Sequence, residues 1–124
     1  MIYLASPYSS QYPEVREQRF RDACEAAAAL MQRGEFVFSP IAHTHPIARY
    51  GLPKGWDFWE PYDREFLDAC SGMAVLMIRG WRQSKGVQAE IAVFEEAGKP
   101  IEYYRLVKHG FDVYRRMRRV YPNN

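Results

Sequence analysis

Apolar residues along the chain are arranged in two ways, as short runs typical of strands and as longer stretches with helical spacing. The short runs are "IYLAS" (residues 2–6), "EFVFS" (35–39), "MAVLMI" (73–78) and "PIEYY" (100–104), and each predicts a strand. The third run is apolar almost throughout, as expected for a strand that is covered on both faces. Because helical segments separate these strands, the pattern predicts a parallel sheet with right-handed crossovers.

Proline, glycine and changes of periodicity mark the predicted helices. The pattern indicates a helix from Pro13 to Gly34, a second that begins at Pro61, a third over residues 84–98 and a basic helix from about residue 110. Residues 40–55, rich in Pro, His and Gly, are predicted to form a loop. We therefore expect residues 1–124 to form one α/β domain, a small doubly wound, flavodoxin- or Rossmann-like sandwich with a four- to five-stranded parallel sheet.

Composition narrows the class of protein. Of the 124 residues, 48% are hydrophobic, and no apolar run is long enough to cross a membrane. Two cysteines in separate helical segments favour free thiols over a disulfide, so a soluble, cytoplasmic protein without a membrane partner is expected. Residues 105–124 hold six basic side chains against one acidic. A final helix that buries Val113, Met117 and Val120 explains this charge better than a nucleic-acid partner.

Two acidic residues stand out because they accompany apolar stripes. Asp63 shares a predicted helix face with Phe66 and Leu67, and Glu90 lies beside the stripe that contains Val87 and Ile91. Each acid could simply interact with the positive N-terminal end of its own helix. For Glu90, this interaction would keep the carboxylate ionised. In a doubly wound sheet, however, both helix starts lie at the carboxyl edge, so the two carboxylates are expected to face one crevice. Paired carboxylates of this kind cleave glycosidic bonds.

Three segments in this order, "IYLASPY", Asp63 ahead of an apolar strand, and "SKGVQAE" (84–90), resemble the nucleoside 2-deoxyribosyltransferase superfamily. The last segment is most similar to the 2′-deoxynucleoside 5′-phosphate N-hydrolase branch. The resemblance implies that Glu90 is the nucleophile that takes up deoxyribose and that Asp63 assists the departing base. It further implies that Ser84, beside Gly86, binds the 5′-phosphate. By the same resemblance, Tyr3, Ser6 and Tyr8 line the sugar and base pocket, no cofactor is needed, and the protein forms a homodimer or larger homo-oligomer.

Further candidates come from aromatic, histidine and arginine positions. Trp56, Trp59 and Trp81 are candidates for stacking on a nucleobase, with core or interface packing as the alternative for each. His43 and His45 would point the same way in an extended segment, and His43 could shape the crevice. As a metal pair they lack a third ligand nearby, so no metal site is predicted. Arg16 and Arg19 begin the first helix, where either could meet a phosphate or simply be solvated.

The sequence thus predicts an N-glycosidase of 2′-deoxynucleoside 5′-monophosphates that hydrolyses or transfers the deoxyribosyl group through a covalent carboxylate–sugar intermediate. Two alternatives stay open: a non-catalytic module that binds nucleotides as a sensor, and a hydrolase of NAD or other ADP-ribosyl compounds. Two nearby carboxylates favour catalysis over sensing, because negative charges do not help to bind a phosphorylated ligand. No glycine-rich dinucleotide or P-loop motif is present.

Overall fold

The computed structural model describes residues 1–53, 55–108 and 115–122. These residues form five strands and four helices. The strands are β1 (Ile2–Ala5), β2 (Val37–Phe38), β3 (Gly72–Leu76), β4 (Ile101–Val107) and β5 (Arg116–Val120). The helices are α1 (Pro13–Gln32), α2 (Pro40–Ala48), α3 (Trp56–Ala69) and α4 (Lys85–Glu96). In the described part of the chain, none of these helices is both long and apolar enough to span a membrane.

The five strands form one mostly parallel sheet in the order β2-β1-β3-β4-β5. The first four strands are parallel, with Tyr3 of β1 aligned to Phe38 of β2 and to Met73 of β3. β5 runs antiparallel to β4. The expected α/β class and the four predicted strands are confirmed, and the fold is consistent with a Rossmann-like arrangement.

Side chains that alternate along the central strands build two separate hydrophobic clusters. On one face, Leu4 and Leu76 pack with the α1 residues Ala26, Ala27 and Leu30. On the other face, strand residues contact α3 and α4; this cluster includes Tyr3, Ala5, Val75, Leu67, Val87, Ile91 and Phe94. Because successive residues of a strand point to opposite faces, β1 contributes Tyr3 and Leu4 to different clusters.

The predicted C-terminal helix is wrong for the described residues, because positions 116–120 form β5. Met117 lies opposite Leu106 and is buried, whereas the neighbouring arginines are exposed. Pairing with β4 satisfies backbone groups that would otherwise lie on an open sheet edge. Arg115 adds ion pairs to Asp22 and Glu25 of α1, the latter at 2.9 Å. Val113, which the helix was expected to bury, lies outside the described residues.

Two helix boundaries also differ from the prediction. The expected loop after Pro40 is in part helix α2, whose first turn is capped by the Ser39 hydroxyl, 3.2 Å from the Ala42 amide nitrogen. Proline is compatible with the first position of a helix, so Pro40 does not oppose it. α3 begins at Trp56, and Pro61, the predicted first residue, lies inside it. The extra turns of α2 and α3 stand beside the carboxyl edge of the sheet and supply much of its cleft.

Candidate functional site

A cleft of about 330 Å³ lies where the segments that follow β1, β2 and β3 meet. This volume falls within the range of small-molecule sites, roughly 300–1,000 Å³. The wall is formed by the β1–α1 loop with α1 (Ser6, Tyr8, Ser9, Arg19), α2 (Pro40, Ile41, Thr44, Ala48), α3 (Trp56, Trp59, Asp63) and the start of α4 with its preceding loop (Gly80, Gln83, Ser84, Lys85, Gly86, Val87, Glu90). The structure therefore brings Asp63 and Glu90 to one cleft, together with Ser6, Tyr8, Ser84 and Gly86.

Glu90 lies in the second turn of α4, on the same side as Val87 and Ile91, and only 5% of its surface is exposed. The apolar stripe of α4 faces the core, so the carboxyl group is drawn down to the cleft floor. Burial raises the pKa of Glu90 to about 8, although the hydrogen bond from Tyr3 opposes that rise. The expectation that the helix dipole keeps Glu90 ionised is therefore wrong for the ligand-free site, because desolvation outweighs it.

Tyr3 lies directly behind Glu90 and has no exposed surface. Its hydroxyl donates a hydrogen bond to Glu90 Oε2. The ring packs near Phe38 and Phe94, with centroid distances of 6.2 and 6.4 Å. Burial, followed by the neighbouring carboxylates, raises the pKa of Tyr3, so the phenol keeps its proton. Tyr3 thus supports Glu90 from the core and does not itself line the cleft.

Asp63 comes from the middle of α3, where Leu67 and Phe66 share its face, and is 8% exposed. Burial raises the pKa of Asp63 to about 6, and the charge of Glu60 adds to the effect. Its Oδ1 atom is buried and has no hydrogen-bond partner within the described residues, and the same holds for Ser6 Oγ. Buried polar atoms are usually paired in native proteins. These two therefore offer hydrogen-bonding capacity to a ligand in the cleft.

Ser84 and Gly86 form the start of α4. The Ser84 hydroxyl oxygen accepts a hydrogen bond from the Val87 amide at 3.2 Å, which makes it the N-cap and leaves its own proton free to be donated. A side chain on Gly86 would meet the Trp56 ring at 3.3 Å. Gly86 therefore lets α3 approach α4 closely.

Of the two arginines considered from sequence, Arg19 lies on the cleft wall. Its guanidinium donates to the backbone oxygens of Ser9, at 2.8 Å, and of Arg79, at 3.3 Å. Gly80 has a φ of +93°, and a Cβ atom there would lie 2.6 Å from Arg19 Nη2. Burial lowers the pKa of Arg19 from its usual range. Arg16, the other candidate, instead donates to the Ser10 carbonyl and is buried.

Two of the aromatic candidates line the cleft, whereas Trp81 and His43 do not. Trp56 and Trp59 line the cleft, whereas Trp81 packs against Tyr103 at 5.9 Å, with Arg82 over its ring. His43 lies outside the cleft lining and stacks on Tyr62. His43 and His45 belong to α2, where residues two apart do not share a face, so the extended arrangement is wrong. Among the residues that the structure describes, no group of three or more His, Cys, Asp or Glu side chains could hold a metal ion.

Sequence comparison places the chain in a family. Residues 1–106 match the family model described as "Domain of unknown function (DUF1937)". The match covers most of the 124 residues, so the chain belongs to this family. No curated protein matches the chain. The family description assigns no activity, and the chemistry of the cleft is therefore the basis on which a function can be argued.

Proposed function

We propose that this member of the family is an N-glycosidase of 2′-deoxynucleoside 5′-monophosphates, which hydrolyses or transfers the deoxyribosyl group. The observation that carries the proposal is the pair of buried carboxyl groups, Asp63 of α3 and Glu90 of α4, on one cleft. Their pKa values of about 6 and about 8 lie on either side of neutrality. Strongly perturbed acids in a cleft are typical of catalytic sites, and two of them suit glycoside chemistry.

In the first step, a Glu90 carboxylate oxygen attacks the anomeric carbon of deoxyribose while the bond from that carbon to the base nitrogen breaks. The reactive molecules are those in which Asp63, with a pKa of about 6, holds the proton while Glu90, with a pKa of about 8, is ionised; this is the minor form of the pair at neutral pH. In that form Asp63 donates its proton to the departing base, so the base leaves as a neutral molecule. In the second step, water attacks the same carbon, gives a proton to Asp63 and releases Glu90. If a second base attacks in place of water, the outcome is transfer. Neither step requires a metal ion or an organic cofactor.

The nucleophile must be ionised, and the surroundings of Glu90 determine what fraction of its carboxyl group is ionised. With a pKa of about 8, the carboxylate is the minor form at neutral pH. The Tyr3 hydroxyl stabilises that form by donating to Oε2. As the sugar carbon gains positive charge in the transition state, it stabilises the carboxylate further. The same burial that raises the pKa thus removes water from the attacking oxygen.

Three features of the cleft suit a 5′-phosphate. The Ser84 hydroxyl has a proton to donate, and the amide groups in the first turn of α4 point toward the same end of the helix. Lys85 also lines the cleft there. Arg19, held by two backbone oxygens, adds a guanidinium to the cleft wall. Trp56 and Trp59, two of the three tryptophans that the sequence suggests for stacking, supply planar surfaces for a nucleobase.

The proposal also covers the arrangement of the sheet, the oligomeric state and the cellular location of the protein. The strand order β2-β1-β3-β4, with clusters on both faces of the sheet, supports a flavodoxin-like, doubly wound arrangement. Exposed apolar side chains on and near α2 and α3, such as Tyr50 and Phe58, support a homodimer or larger homo-oligomer. Cys24 and Cys70 are free thiols, which supports a cytoplasmic setting.

The test is incubation of the protein with deoxynucleosides, their 5′-monophosphates and NAD, with chromatography to detect released base. The proposal predicts release from the 5′-monophosphates and little from the other compounds. Glu90→Gln, which keeps the size and the hydrogen-bond acceptor for Tyr3, should abolish release. Tight binding without release would support the sensor in place of the enzyme, and release from NAD alone would contradict the proposed substrate.

A further inference from the structure

A chain of three hydrogen-bonded side chains leads away from the cleft wall and plays no part in the chemistry of Glu90 and Asp63. The Tyr8 hydroxyl lies 2.7 Å from His45 Nδ1, and His45 Nε2 lies 2.8 Å from Glu17 Oε2. Phe20 stacks on the imidazole with a centroid distance of 4.4 Å. The chain therefore joins the β1–α1 loop, α2 and α1, and holds the imidazole on its face and at both nitrogens.

Protons along this chain have one consistent arrangement when His45 is neutral. The hydrogen bond from His45 lowers the pKa of Glu17, so Glu17 is an anion that can only accept. His45 must then carry its proton on Nε2, which leaves Nδ1 as an acceptor. The Tyr8 hydroxyl, which has a single proton, donates it to Nδ1. Because the Tyr8 oxygen also accepts a hydrogen bond from Arg16, one of its two lone pairs remains for a ligand.

Other charged groups near Tyr8 agree with this arrangement. Burial raises the pKa of Tyr8 and Glu17 adds to the rise, whereas Arg16 opposes it, so the phenol stays protonated. Arg16 can only donate hydrogen bonds. Its guanidinium donates to the Ser10 carbonyl and also to the Tyr8 oxygen, where it occupies one lone pair. Neither Arg16 nor Glu17 can turn the Tyr8 proton toward the cleft.

We propose that Glu17 and His45 are positioning residues that fix Tyr8 as a hydrogen-bond acceptor on the cleft wall, so that Tyr8 selects a ligand group that donates a hydrogen bond. For the ligand class this inference rests on the proposed function. In a deoxynucleotide the donor is either a sugar hydroxyl or an exocyclic amine of the base. A ligand that offers only an acceptor at this point would meet lone pairs and lose affinity.

The test compares two pairs of ligands in the Glu90→Gln background, where turnover does not interfere. One pair is a 2′-deoxynucleoside 5′-monophosphate and its 3′-fluoro analogue, and the other contains a 6-aminopurine or a 6-methoxypurine. Calorimetry at about pH 8, where an imidazole in water is neutral, measures affinity. In one of the two pairs, the ligand that offers a hydrogen-bond donor should bind roughly three- to tenfold more tightly than its partner. This factor is the usual value of one neutral hydrogen bond.

Three substitutions then test the chain itself. Tyr8→Phe should abolish the preference. His45→Phe and Glu17→Gln should bring the ratio of the two affinities close to one, because the Tyr8 proton is then no longer held in the hydrogen bond to His45 Nδ1. Glu14→Gln, the same change at an exposed position of α1, should leave the preference unchanged. A merely structural role would weaken both members of a pair equally and leave their ratio intact.

The outcomes separate this inference from the proposed function. An unchanged preference in His45→Phe and Glu17→Gln, or a preference for the acceptor ligands, would overturn the inference even if the enzyme releases base. A preference that behaves as expected in a protein that releases no base would uphold the inference and refute the proposed function. Failure of every nucleotide to bind would refute both.

Discussion

The phenol of Tyr3, on the first strand, donates a hydrogen bond to the buried carboxyl group of Glu90, 87 residues later on α4. Tyr3 itself has no contact with solvent, so the bond links the core of the sheet to the floor of the cleft. This hydrogen bond lowers the pKa of the carboxyl group and so opposes the effect of its burial. The relationship makes Tyr3 a residue through which the reactivity of Glu90 can be adjusted without touching the substrate.

Replacement of Tyr3 by Phe is therefore expected to change the pH dependence of activity. In the wild type, kcat/KM should show a plateau between limbs near the two pKa values of the carboxyl pair, about 6 and about 8. Loss of a hydrogen bond to a charged group, worth roughly 1.5 kcal/mol, should raise the upper limb by about one pH unit and lower the plateau. A profile that keeps both limbs in place would show that Tyr3 does not act on Glu90.

The pH dependence of the free energy of unfolding should also reveal the raised pKa of Glu90. Its pKa is about 8 in the folded protein and near 4.5 when unfolded, so across this window the unfolded state releases a proton that the folded state retains. The free energy of unfolding therefore falls as pH rises from about 4.5 to about 8. Glu90→Gln removes this loss, and at about pH 8.5 its melting temperature should exceed that of the wild type by roughly 5 °C.

The matched control is Glu96→Gln, which makes the same change at an exposed position of the same helix. Its melting temperature should follow the wild type at every pH. Parallel pH profiles for the wild type and Glu90→Gln would mean that the Glu90 carboxyl group titrates normally in the folded protein.

Asp63→Asn should slow departure of the base, because the amide keeps the shape of the side chain but cannot donate the proton that the leaving nitrogen requires. The expected loss in kcat is about 100- to 10,000-fold for natural bases. Substrates whose bases leave easily without protonation should lose far less, and comparing the two classes measures the effect. Equal losses for good and poor leaving groups would mean that Asp63 only positions a ligand.

Ser84→Ala separates a phosphate-binding role from helix capping. A charge-assisted hydrogen bond is worth about ten- to a hundredfold in affinity, so kcat/KM on 5′-monophosphates should fall by that factor while activity on nucleosides stays near its starting level. Ser39→Ala is a matched control, since Ser39 caps α2 with the same distance of 3.2 Å and lies outside the cleft lining. If both variants lose about 1 kcal/mol of stability and neither changes the preference for phosphate, Ser84 is only a cap.

Much of this architecture could be predicted from periodicity, because β1, β3, α1 and α4 bury continuous apolar patterns. Glu90 and Asp63 could be brought to one crevice from topology alone, since consecutive parallel strands deliver their helices to the same edge. The C-terminal segment could not, because Met117 and Val120 fit both a helical stripe and the edge strand that β4 pairs with. Whether this segment forms a helix or a strand depends on its pairing with β4, and a local sequence pattern does not contain that information.

For several candidates, the sequence left open which of them line the cleft. Of the three tryptophans, Trp56 and Trp59 line it because α3 begins before Pro61, the predicted first residue of the helix. Arg19 lies on the wall because carbonyl oxygens from two loops hold its guanidinium, and one of them is 60 residues away. The ionisation of Glu90 was misjudged because a helix dipole can be inferred from sequence, whereas the depth of burial that opposes it cannot.

The most direct measurement for the central proposal is peptide mass spectrometry after incubation with a 2′-fluorinated 2′-deoxynucleoside 5′-monophosphate. The fluorine slows the second step, so a covalent intermediate should accumulate. The account predicts one sugar 5-phosphate adduct per chain, attached to Glu90 in the wild type and absent from Glu90→Gln. Rapid release of base without an adduct, or an adduct on a different residue, would contradict the assignment of Glu90 as the nucleophile.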